Sequence, residues 1–290
     1  MPVWIEAALN GPWSRRRQQL IPVSIPEIVA DGVACARAGA GVIHVHAYDA
    51  QTGLQNDDAE TYVAIIEGIR SAADVVVYPT IPFIQSAAAF EPRAAMSRYA
   101  AVEELARRGL LEWAVVDPGS INLATFEEIS DGRPGSLYLN PGEHIRRGLA
   151  LAVKHRFVPS YAIYEPGFLR LGAALARSVP DCPRPIYRFM FSESLTFGFG
   201  PDAYALDAYL KLLGEHAAGG HWMIAGLGVD IRPLIAHAVA RGGHVRVGLE
   251  DAPWGTDRKN VQWVEDAASI LGSLGERPAT AAEIRRASAA

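Results

Sequence analysis

Eight strand-like segments alternate with eight helix-like segments along this chain, and no other feature limits its possible folds as strongly. The predicted strands, which are short runs rich in apolar and β-branched residues, cover residues 3–10, 41–49, 75–78, 112–117, 157–164, 185–191, 222–225 and 244–247. The predicted helices cover residues 24–39, 57–72, 94–108, 143–155, 168–177, 203–216, 231–241 and 260–274. Alternation favours a parallel sheet, and the count of eight favours closure into a (β/α)8 TIM barrel. An open, doubly wound sheet is the main alternative.

The length and composition of the chain agree with a single barrel domain. A (β/α)8 barrel is typically about 250 residues long, and this chain has 290 residues. Half of the residues are apolar and a fifth are charged, which is typical of a globular protein with a large core. We therefore predict one barrel domain over residues 1–290.

The charge of the chain argues against a general binder of polyanions. Its 27 Lys and Arg residues are outnumbered by 32 Asp and Glu residues, which gives a formal net charge of −5. Nucleic-acid-binding domains are usually basic, and this sequence has neither a basic tail nor the Cys-His spacing of a zinc finger. We expect no nucleic-acid partner.

The sequence shows no sign of export or membrane insertion. No basic N-terminal segment is followed by an apolar one, as in a signal peptide, and no apolar run approaches the ~20 residues that cross a bilayer. The two cysteines, Cys35 and Cys182, are too few for a disulfide framework, so we expect buried or unreactive thiols. These features predict a cytoplasmic protein without a membrane partner.

The second predicted strand carries two histidines that could bind a metal ion. His44 and His46 alternate with β-branched residues, and side chains two apart in a strand point to the same face. Two imidazoles held side by side suit a divalent ion such as zinc, at about 2.0–2.1 Å per nitrogen. The alternative is that one histidine is buried and hydrogen-bonded while the other caps the strand end.

Two acidic residues, Glu250 and Asp251, follow the eighth predicted strand. Active sites of TIM barrels lie at the C-terminal ends of the strands. Closure of the barrel places strand eight beside strand one and within reach of strand two, so Glu250 could join His44 and His46 in one metal site. Three protein ligands leave a position open for water or substrate, as in catalytic zinc sites. A solvated acidic turn is the alternative for Glu250 and Asp251.

Motifs spread over almost the whole chain carry a resemblance to one enzyme family. They are Ala8-Leu9-Asn10-Gly11, Ala38-Gly39-Ala40, Ile43-His44-Val45-His46, Gly53, Asp57, Trp222 and Gly226-Leu227-Gly228. The most specific is Gly242-Gly243-His244-Val245-Arg246-Val247-Gly248-Leu249-Glu250-Asp251, followed by Asn260, Val264 and residues 277–283. With these motifs the sequence resembles the β-keto acid cleavage enzymes, a family that includes 3-keto-5-aminohexanoate cleavage enzyme.

The resemblance implies an activity and its co-substrate. Enzymes of this family are (β/α)8 barrels that join a β-keto acid to acetyl-CoA and yield acetoacetate and a new acyl-CoA. Their proposed course is deprotonation of the substrate, addition to the acetyl thioester, intramolecular thioester exchange and retro-Claisen cleavage. For this chain the resemblance implies a β-keto acid and acetyl-CoA as small-molecule partners, and a homotetramer as the assembly.

The resemblance also implies roles for individual residues. His44, His46 and Glu250 would hold a divalent metal ion, usually zinc, which can polarise a ketone and stabilise enolate charge. Asp251, paired with Arg246, resembles the general base of the family. The expected substrate-binding residues are Thr80, Asn10, Ser120 and Asn122. For Thr80, Ser120 and Asn122, ordinary capping of a loop is the alternative.

Strand five departs from the family pattern. The family tends to have Pro-Glu-Leu-Glu-Val-Phe-Asp at this strand, whereas this chain has Pro-Ser-Tyr-Ala-Ile-Tyr-Glu. Ser160 and Ala162 thus replace acidic residues that would suit a cationic amino group on the substrate, and Glu165 replaces the aspartate. A preference for neutral, apolar or aromatic acyl tails over aminated ones is expected, and three aromatic residues agree with it: Trp13, Tyr161 and Tyr164.

A second departure leaves two other functions open. The loop after strand three, Pro82-Phe83-Ile84, lacks the glycines common in relatives, at a place where the CoA arm could approach. A metal-dependent lyase or hydrolase that acts on a keto acid without CoA is therefore one alternative. A metal-containing binding protein without turnover is the other. The pair of Asp251 and Arg246 counts against the binding protein, since a binder needs no base beside its ligand.

Overall fold

The computed structural model describes residues 2–49 and 51–289, and its centre is a nearly closed barrel of eight parallel strands. The barrel strands are β1 (Ile5–Ala8), β2 (Val42–Val45), β3 (Val76–Pro79), β4 (Trp113–Val115), β5 (Val158–Ile163), β6 (Ile186–Phe191), β7 (Trp222–Gly226) and β8 (His244–Val247). Their hydrogen-bonded order is β3-β2-β1-β8-β7-β6-β5-β4. Because β8 pairs with β1 and β3 lies against β4, the predicted TIM barrel is confirmed and the open sheet is wrong.

Helices surround the barrel and connect its strands. The α-helices are α1 (Ile25–Ala38), α2 (Ala59–Arg70), α3 (Ala94–Arg98), α4 (Ala100–Arg107), α5 (Phe126–Ser130), α6 (Gly142–His155), α7 (Pro166–Ser178), α8 (Ala203–His216), α9 (Ile235–Val239), α10 (Asn260–Ser273) and α11 (Ala281–Ser288). Two 3-10 helices cover Ala87–Phe90 and Arg232–Leu234. The predicted helix 94–108 is interrupted because Tyr99 leaves the helical conformation, with φ −100° and ψ 12°. None of the described helices is long and apolar enough to cross a membrane.

Two small sheets lie outside the barrel pattern. Pro2–Val3 pairs in parallel with Arg277–Pro278 beside the start of β1. Ile121–Leu123 and Ser136–Tyr138 form an antiparallel hairpin that carries α5. The sequence predicts only a loop between strand four and the next long helix, because these strands are three residues long and carry no clear alternation.

Local sequence explains how α1 begins and ends. The Ser24 hydroxyl accepts from the Glu27 N–H, and the Glu27 carboxylate accepts from the Ser24 N–H, which together form a capping box. The Ser24 N–H and the guanidinium of Arg15 lower the pKa of Glu27 to about 2. At the C-terminus Gly39 adopts a φ of 119°, the left-handed conformation that glycine tolerates. The predicted cap and the predicted end of this helix are both confirmed.

Alternation along the strands separates an apolar core from a polar barrel interior. In β2, Ile43 and Val45 belong to the hydrophobic core, whereas His44 faces the pocket at the barrel mouth. In β8, Val245 packs in the same core while Arg246 faces inward. The interior of the barrel therefore holds the charged groups, and the helices cover its apolar outside.

Both cysteines have the character that the sequence predicts. Cys35 is buried and Cys182 is half-buried, and both are free thiols. Burial raises the pKa of the Cys35 thiol, and it raises the pKa of Cys182 to about 11. A thiol that stays protonated is a poor nucleophile, so neither residue is suited to nucleophilic chemistry.

Candidate active site

Two histidines and one glutamate meet at the mouth of the barrel. His44 ends the inward face of β2 and His46 follows the strand, and each presents Nε2 to one carboxylate oxygen of Glu250 at 3.5 Å. Ligand atoms of the three residues all lie within 4.8 Å of one another. The structure thus brings together the three residues that the sequence predicts as metal ligands.

A tight turn after β8 directs Glu250 toward the histidines. Gly248 adopts a φ of 136°, and a Cβ atom there would collide with the carbonyl oxygen of Ala8, so only glycine fits. The Glu250 N–H donates to the same Ala8 oxygen at 3.2 Å, and the Trp13 indole donates to the Glu250 carbonyl at 2.8 Å. These contacts fix the backbone at Glu250 against β1 and the loop that follows it.

Asn10 orients the backbone of His46. Its amide oxygen accepts from the His46 N–H at 2.9 Å, and its amide nitrogen donates to the carbonyl oxygens of His46 at 2.9 Å and Pro22 at 3.0 Å. The residue is fully buried and does not line the pocket. This geometry fits a positioning role, and not the substrate contact that the sequence suggests, because both ends of the amide are already bound.

Gln55 determines which nitrogen of His46 carries the proton. Gln55 Oε1 lies 2.9 Å from His46 Nδ1, and Gln55 Nε2 donates to Asp57 Oδ1 at 2.7 Å. Because Asp57 takes the amide N–H, the amide oxygen faces the imidazole and accepts from an Nδ1–H. His46 Nε2 then carries the lone pair that a metal ion requires.

Each of the three residues in the cluster has a buried polar atom without a partner. Among the described residues, His46 Nε2, His44 Nδ1 and Glu250 Oε2 are buried without a hydrogen bond. Burial lowers the pKa of His44 well below its ordinary value, despite the opposing effect of Glu250, so its imidazole is neutral near pH 7. Two imidazoles and one carboxylate are a donor set that fits zinc and other divalent ions.

Arg246 holds three carboxylates around one guanidinium. Its Nε and Nη2 donate to the two oxygens of Asp251 at 2.8 and 2.9 Å, and its Nη1 donates to Glu6 at 2.8 Å. Its Nη2 also lies 2.8 Å from Glu250 Oε1. Burial alone would lower the pKa of Arg246, but the carboxylates raise it well above its ordinary value. The charged guanidinium therefore fixes Glu250 and Asp251 relative to each other.

Asp251 is a buried carboxyl group whose proton affinity is raised. Burial raises the pKa of Asp251 above its ordinary value, although Arg246 acts in the opposite direction. The residue is 2% exposed, and it lies behind Arg246, which lines the pocket while Asp251 does not. A carboxylate whose pKa moves toward neutrality is a stronger base than a solvated one.

A pocket opens over these residues at the C-terminal ends of the strands. Its polar lining consists of His44, His46, Gln55, Thr80, Asp117, Tyr138, Tyr164, Arg188, Arg246 and Glu250. Its apolar lining consists of Pro12, Trp13, Ile81, Phe83, Val115, Leu123, Ala162, Met190 and Leu227. Thr80 is the one predicted substrate-binding residue that lines it.

Ser120 and Asn122 lie outside this pocket. Both are exposed, and the Ser120 hydroxyl accepts from the backbone N–H of Asn140 at 2.8 Å. Asn122 lies in the hairpin strand whose next residue, Leu123, lines the pocket instead. For Ser120 the geometry matches the alternative of loop capping, and neither side chain is placed to contact a substrate in this pocket.

Only two of the three aromatic residues expected around the acyl tail line the pocket. Trp13 and Tyr164 do so, whereas Tyr161 is fully buried and donates its hydroxyl to the Gly172 carbonyl of α7 at 3.3 Å. Tyr161 and Ala162 occupy opposite faces of β5, so the face that reaches the pocket is that of Ala162.

Four polar residues inside the barrel have no motif that marks them in the sequence: Glu6, Tyr78, Asp117 and Arg188. The Tyr78 hydroxyl donates to Glu6 at 2.6 Å and accepts from Arg188 Nη1 at 3.0 Å. The sequence carries one indication of their position, because Glu6 and Arg188 are charged residues within otherwise apolar predicted strands. A charge at such a position faces either a pocket or another buried charge.

The pocket and the buried residues beneath it carry more acidic than basic groups. The buried carboxyl groups are Glu6, Asp117, Glu250 and Asp251, and the buried guanidinium groups are Arg188 and Arg246. When all four carboxyl groups are ionised, two negative charges are in excess. Uncompensated buried charge is costly, and a divalent cation at the histidines would remove the excess.

Comparison with protein families gives a match over nearly the whole chain. A family model described as beta-keto acid cleavage enzyme matches residues 2–288. This range includes all residues of the candidate site.

Two curated relatives are similar to this chain over almost their full lengths. The 3-dehydrocarnitine:acetyl-CoA trimethylamine transferase of Rhizobium meliloti (strain 1021) is 27% identical over 303 residues, which cover 98% of this chain and 95% of the relative. A 3-keto-5-aminohexanoate cleavage enzyme of Fusobacterium nucleatum subsp. nucleatum is 23% identical over 289 residues, which cover 97% of this chain and 96% of the relative.

A solved structure shows the same fold. The binary complex of ObcA with oxaloacetate has a TM-score of 0.71 and 15% identity, over 92% of this chain and 66% of the ObcA chain. This chain therefore spans just under two thirds of the length of ObcA. At this identity the likeness concerns the barrel and not the substrate.

Proposed function

Because the chain belongs to the β-keto acid cleavage enzyme family, we propose that it transfers the acyl group of a β-keto acid to the CoA of acetyl-CoA and releases acetoacetate. The bond between C2 and C3 of the keto acid breaks, and C2 with its carboxylate bonds to the acetyl carbonyl carbon. The acyl group that contained C3 becomes the new thioester. The observation that carries this proposal is the buried pair of Asp251 and Arg246 beside the two histidines and Glu250.

We propose that His44, His46 and Glu250 hold one divalent metal ion, with zinc as the ion that the donor set suits best. Support comes from the buried atoms without partners, from the Gln55 contact that frees His46 Nε2, and from the excess of acidic groups. When bound, such an ion polarises a keto oxygen and stabilises the negative charge that develops on it.

The protein's own residues are proposed to manage the proton and the carboxylate of the substrate. The pair of Arg246, which lines the pocket, and Asp251, which lies behind it, removes a proton from C2, and the raised pKa of Asp251 makes the pair a suitable base near neutral pH. Arg246 keeps both Asp251 oxygens in place. The hydroxyl of Thr80, which lines the pocket after β3, donates to the substrate carboxylate in this proposal, while Trp13 and Tyr164 exclude water from the acyl chain.

Incubation of the metal-loaded protein with acetyl-CoA and a panel of β-keto acids tests this function. We expect acetoacetate and the matching acyl-CoA in equal amounts, and neither product when acetyl-CoA is left out. Cleavage of the keto acid in the absence of acetyl-CoA would instead establish the CoA-independent lyase or hydrolase. Binding of keto acids without turnover of any of them would establish the binding protein.

We also propose a single domain over residues 1–290, a homotetramer, and a cytoplasmic location. The packing of α11 onto the barrel, where Ile284 is fully buried, supports the single domain. The tetramer follows from the family resemblance, and the location follows from the sequence-based expectation. One calorimetric unfolding transition, a light-scattering mass four times that of the 31.2 kDa chain, and recovery in the cytoplasmic fraction are the expected results.

A further inference from the structure

Arg188 carries a buried positive charge that the protein engages only in part. It lies on β6, is 3% exposed and lines the pocket. Among the described residues, its guanidinium makes one hydrogen bond, from Nη1 to the hydroxyl of Tyr78 at 3.0 Å. Its Nε is buried without a partner. Buried polar groups are normally hydrogen-bonded, because an unbonded one loses its hydration without compensation.

The closest carboxylate, that of Glu6, is bound by other donors. Arg188 Nη1 lies 3.7 Å from Glu6 Oε1, beyond hydrogen-bonding distance. That oxygen accepts from the Tyr78 hydroxyl at 2.6 Å and from Arg246 Nη1 at 2.8 Å. Glu6 is therefore hydrogen-bonded to Arg246 and attracts Arg188 only from a longer distance.

The second carboxylate, that of Asp117, is also occupied. Arg188 Nη2 lies 3.8 Å from Asp117 Oδ1. The two Asp117 oxygens accept from the Ala162 N–H and from the Tyr138 hydroxyl, each at 2.7 Å. Burial raises the pKa of Asp117, and Arg188 only partly opposes this shift. Neither neighbour satisfies the guanidinium.

Arg188 faces the pocket from β6. It is paired with Ala162 in the ladder between β5 and β6, and both residues line the pocket. The methyl side chain of Ala162 offers no acceptor to the guanidinium. In the circular strand order β6 lies four strands from β2, and the Arg188 guanidinium reaches across the barrel to Tyr78 of β3 and toward Glu6 of β1.

We infer that Arg188 binds an anionic group at the far end of the acyl chain, and that the preferred substrates are β-keto acids with a second carboxylate. The inference rests on the proposed function, since it names the class of keto acid that this site accepts. A carboxylate matches the planar fork of a guanidinium, in which two parallel N–H groups can donate to its two oxygens. One substrate would then contact the histidines with its keto acid end and the Arg188 guanidinium with its second carboxylate.

Substrates of equal length test the inference on the wild-type protein. The pairs are 3-oxohexanedioate with 3-oxohexanoate and 3-oxoheptanedioate with 3-oxoheptanoate, each at saturating acetyl-CoA. A hydrogen bond between charged groups contributes enough to raise kcat/KM by about 10- to 100-fold for the diacid of at least one pair. Equal or higher values for both monoacids would overturn the inference.

Variants of Arg188 show whether this residue causes the preference. Arg188→Gln should bring the ratio of diacid to monoacid close to one, and Arg188→Lys should keep part of it, because the charge remains without the fork. Arg98 is a matched control: it is buried, lies outside the pocket, and donates to the Pro82 and Leu139 carbonyls at 3.1 and 2.8 Å. Arg98→Gln should keep the wild-type ratio.

An equal loss of diacid and monoacid turnover in Arg188→Gln would refute the inference, because Arg188 would then bind the shared carboxylate or support the fold. If Arg188→Gln does not fold, the wild-type comparison and Arg188→Lys decide the matter. Arg188→Gln could fail to fold while Arg188→Lys keeps the full wild-type ratio of diacid to monoacid. That result would also count against binding by the planar fork of the guanidinium.

Binding measurements separate this inference from the proposed function. Hexanedioate and hexanoate lack the keto group, so calorimetric titration of the metal-loaded protein reports on Arg188 without turnover. Tight binding of hexanedioate that depends on Arg188, in a protein that turns over no keto acid, would refute the function and support the anion site. Turnover of monoacids without any preference for diacids in turnover or binding would support the function and refute the anion site.

Discussion

His46 presents its Nε2 atom to the centre of the site because two neighbours engage its other polar atoms. Gln55 faces Nδ1, and Asn10 binds both the N–H and the carbonyl oxygen of the His46 backbone. On the other side of the site, Arg246 holds Glu250. The proposed ligands are thus oriented by the protein itself, which is how outer contacts raise the affinity of metal sites.

Removal of a proposed ligand should remove the metal ion. We expect about one divalent ion per chain in the purified wild-type protein, and loss of that ion in His46→Ala and in Glu250→Ala. Elemental analysis by mass spectrometry measures the occupancy. Full occupancy in both variants would mean that the ion binds elsewhere.

Replacement of the proposed base should reduce turnover without releasing the ion. Asp251→Asn keeps the size of the side chain but cannot accept the proton, so kcat should fall by roughly 10²- to 10⁴-fold. Asp257, an exposed residue of the same loop, supplies the control Asp257→Asn, which should behave as wild type. Near-normal turnover in Asp251→Asn would remove Asp251 from the mechanism.

The pairing of β5 with β6 decides which side chains meet the acyl chain. Ala162 of β5 and Tyr164, the residue after this strand, point inward. Arg188 and Met190 do so from β6. The loss of acidic residues on strand five could be predicted from the sequence. The position of Arg188 beside Ala162 could not be predicted from the sequence, because the register of two strands joined by a helix is set by the closure of the whole sheet.

A β-keto acid with an amino group in its tail should be a poor substrate for a pocket lined by β5 and β6. Its ammonium group would enter a pocket without a free counter-charge and close to Arg188, and Glu165 is engaged with the Gly198 N–H at 3.1 Å. We expect kcat/KM for 3-keto-5-aminohexanoate to lie at least about tenfold below that for 3-oxohexanoate at one pH and saturating acetyl-CoA. If the aminated substrate is the best of the panel, Glu165 must supply the missing charge.

The loop after β2 should tune the affinity for the metal ion. Gln55→Leu removes the acceptor of the His46 Nδ1–H, and loss of such a contact typically weakens metal binding by about 10- to 100-fold. Competition with a chromophoric chelator measures the affinity. The exposed Gln51 of the same loop provides the control Gln51→Leu, which should leave the affinity unchanged. An unaltered affinity in Gln55→Leu would show that the amide does not set the tautomer.

For the whole molecule, the alternation of strands and helices predicted the barrel, and the positions of His44, His46 and Glu250 at strand ends predicted their grouping. Both depend on patterns that repeat along the chain or follow strand ends. That Asn10, Ser120 and Asn122 lie outside the pocket could not be predicted, because a polar residue next to a strand can bind either a ligand or the backbone and the sequence does not show which. For Asn10, the backbone of His46 and the carbonyl oxygen of Pro22 engage both ends of the side-chain amide.

Removal of the metal ion should destabilise the whole barrel. A ligand that binds only the folded chain, present at a thousand times its Kd, stabilises it by about 4 kcal/mol, and without the ion the buried acidic groups repel one another. We expect chelation to lower Tm by several degrees in the wild type, as measured by differential scanning calorimetry. His46→Ala should show no further drop on chelation. Identical Tm values for chelated and untreated wild type would contradict a resident ion.

The wall between β3 and β4 has no backbone ladder among the described residues, and both strands end at the pocket, at Thr80 and Val115. Elsewhere, parting two strands breaks hydrogen bonds that contribute about 0.5–1.5 kcal/mol each. Between β3 and β4, only contacts between side chains have to rearrange. We therefore expect breathing of the barrel to be concentrated on this side, with the fastest exchange of backbone amides there, and we expect bulkier acyl groups to enter where the wall parts most easily.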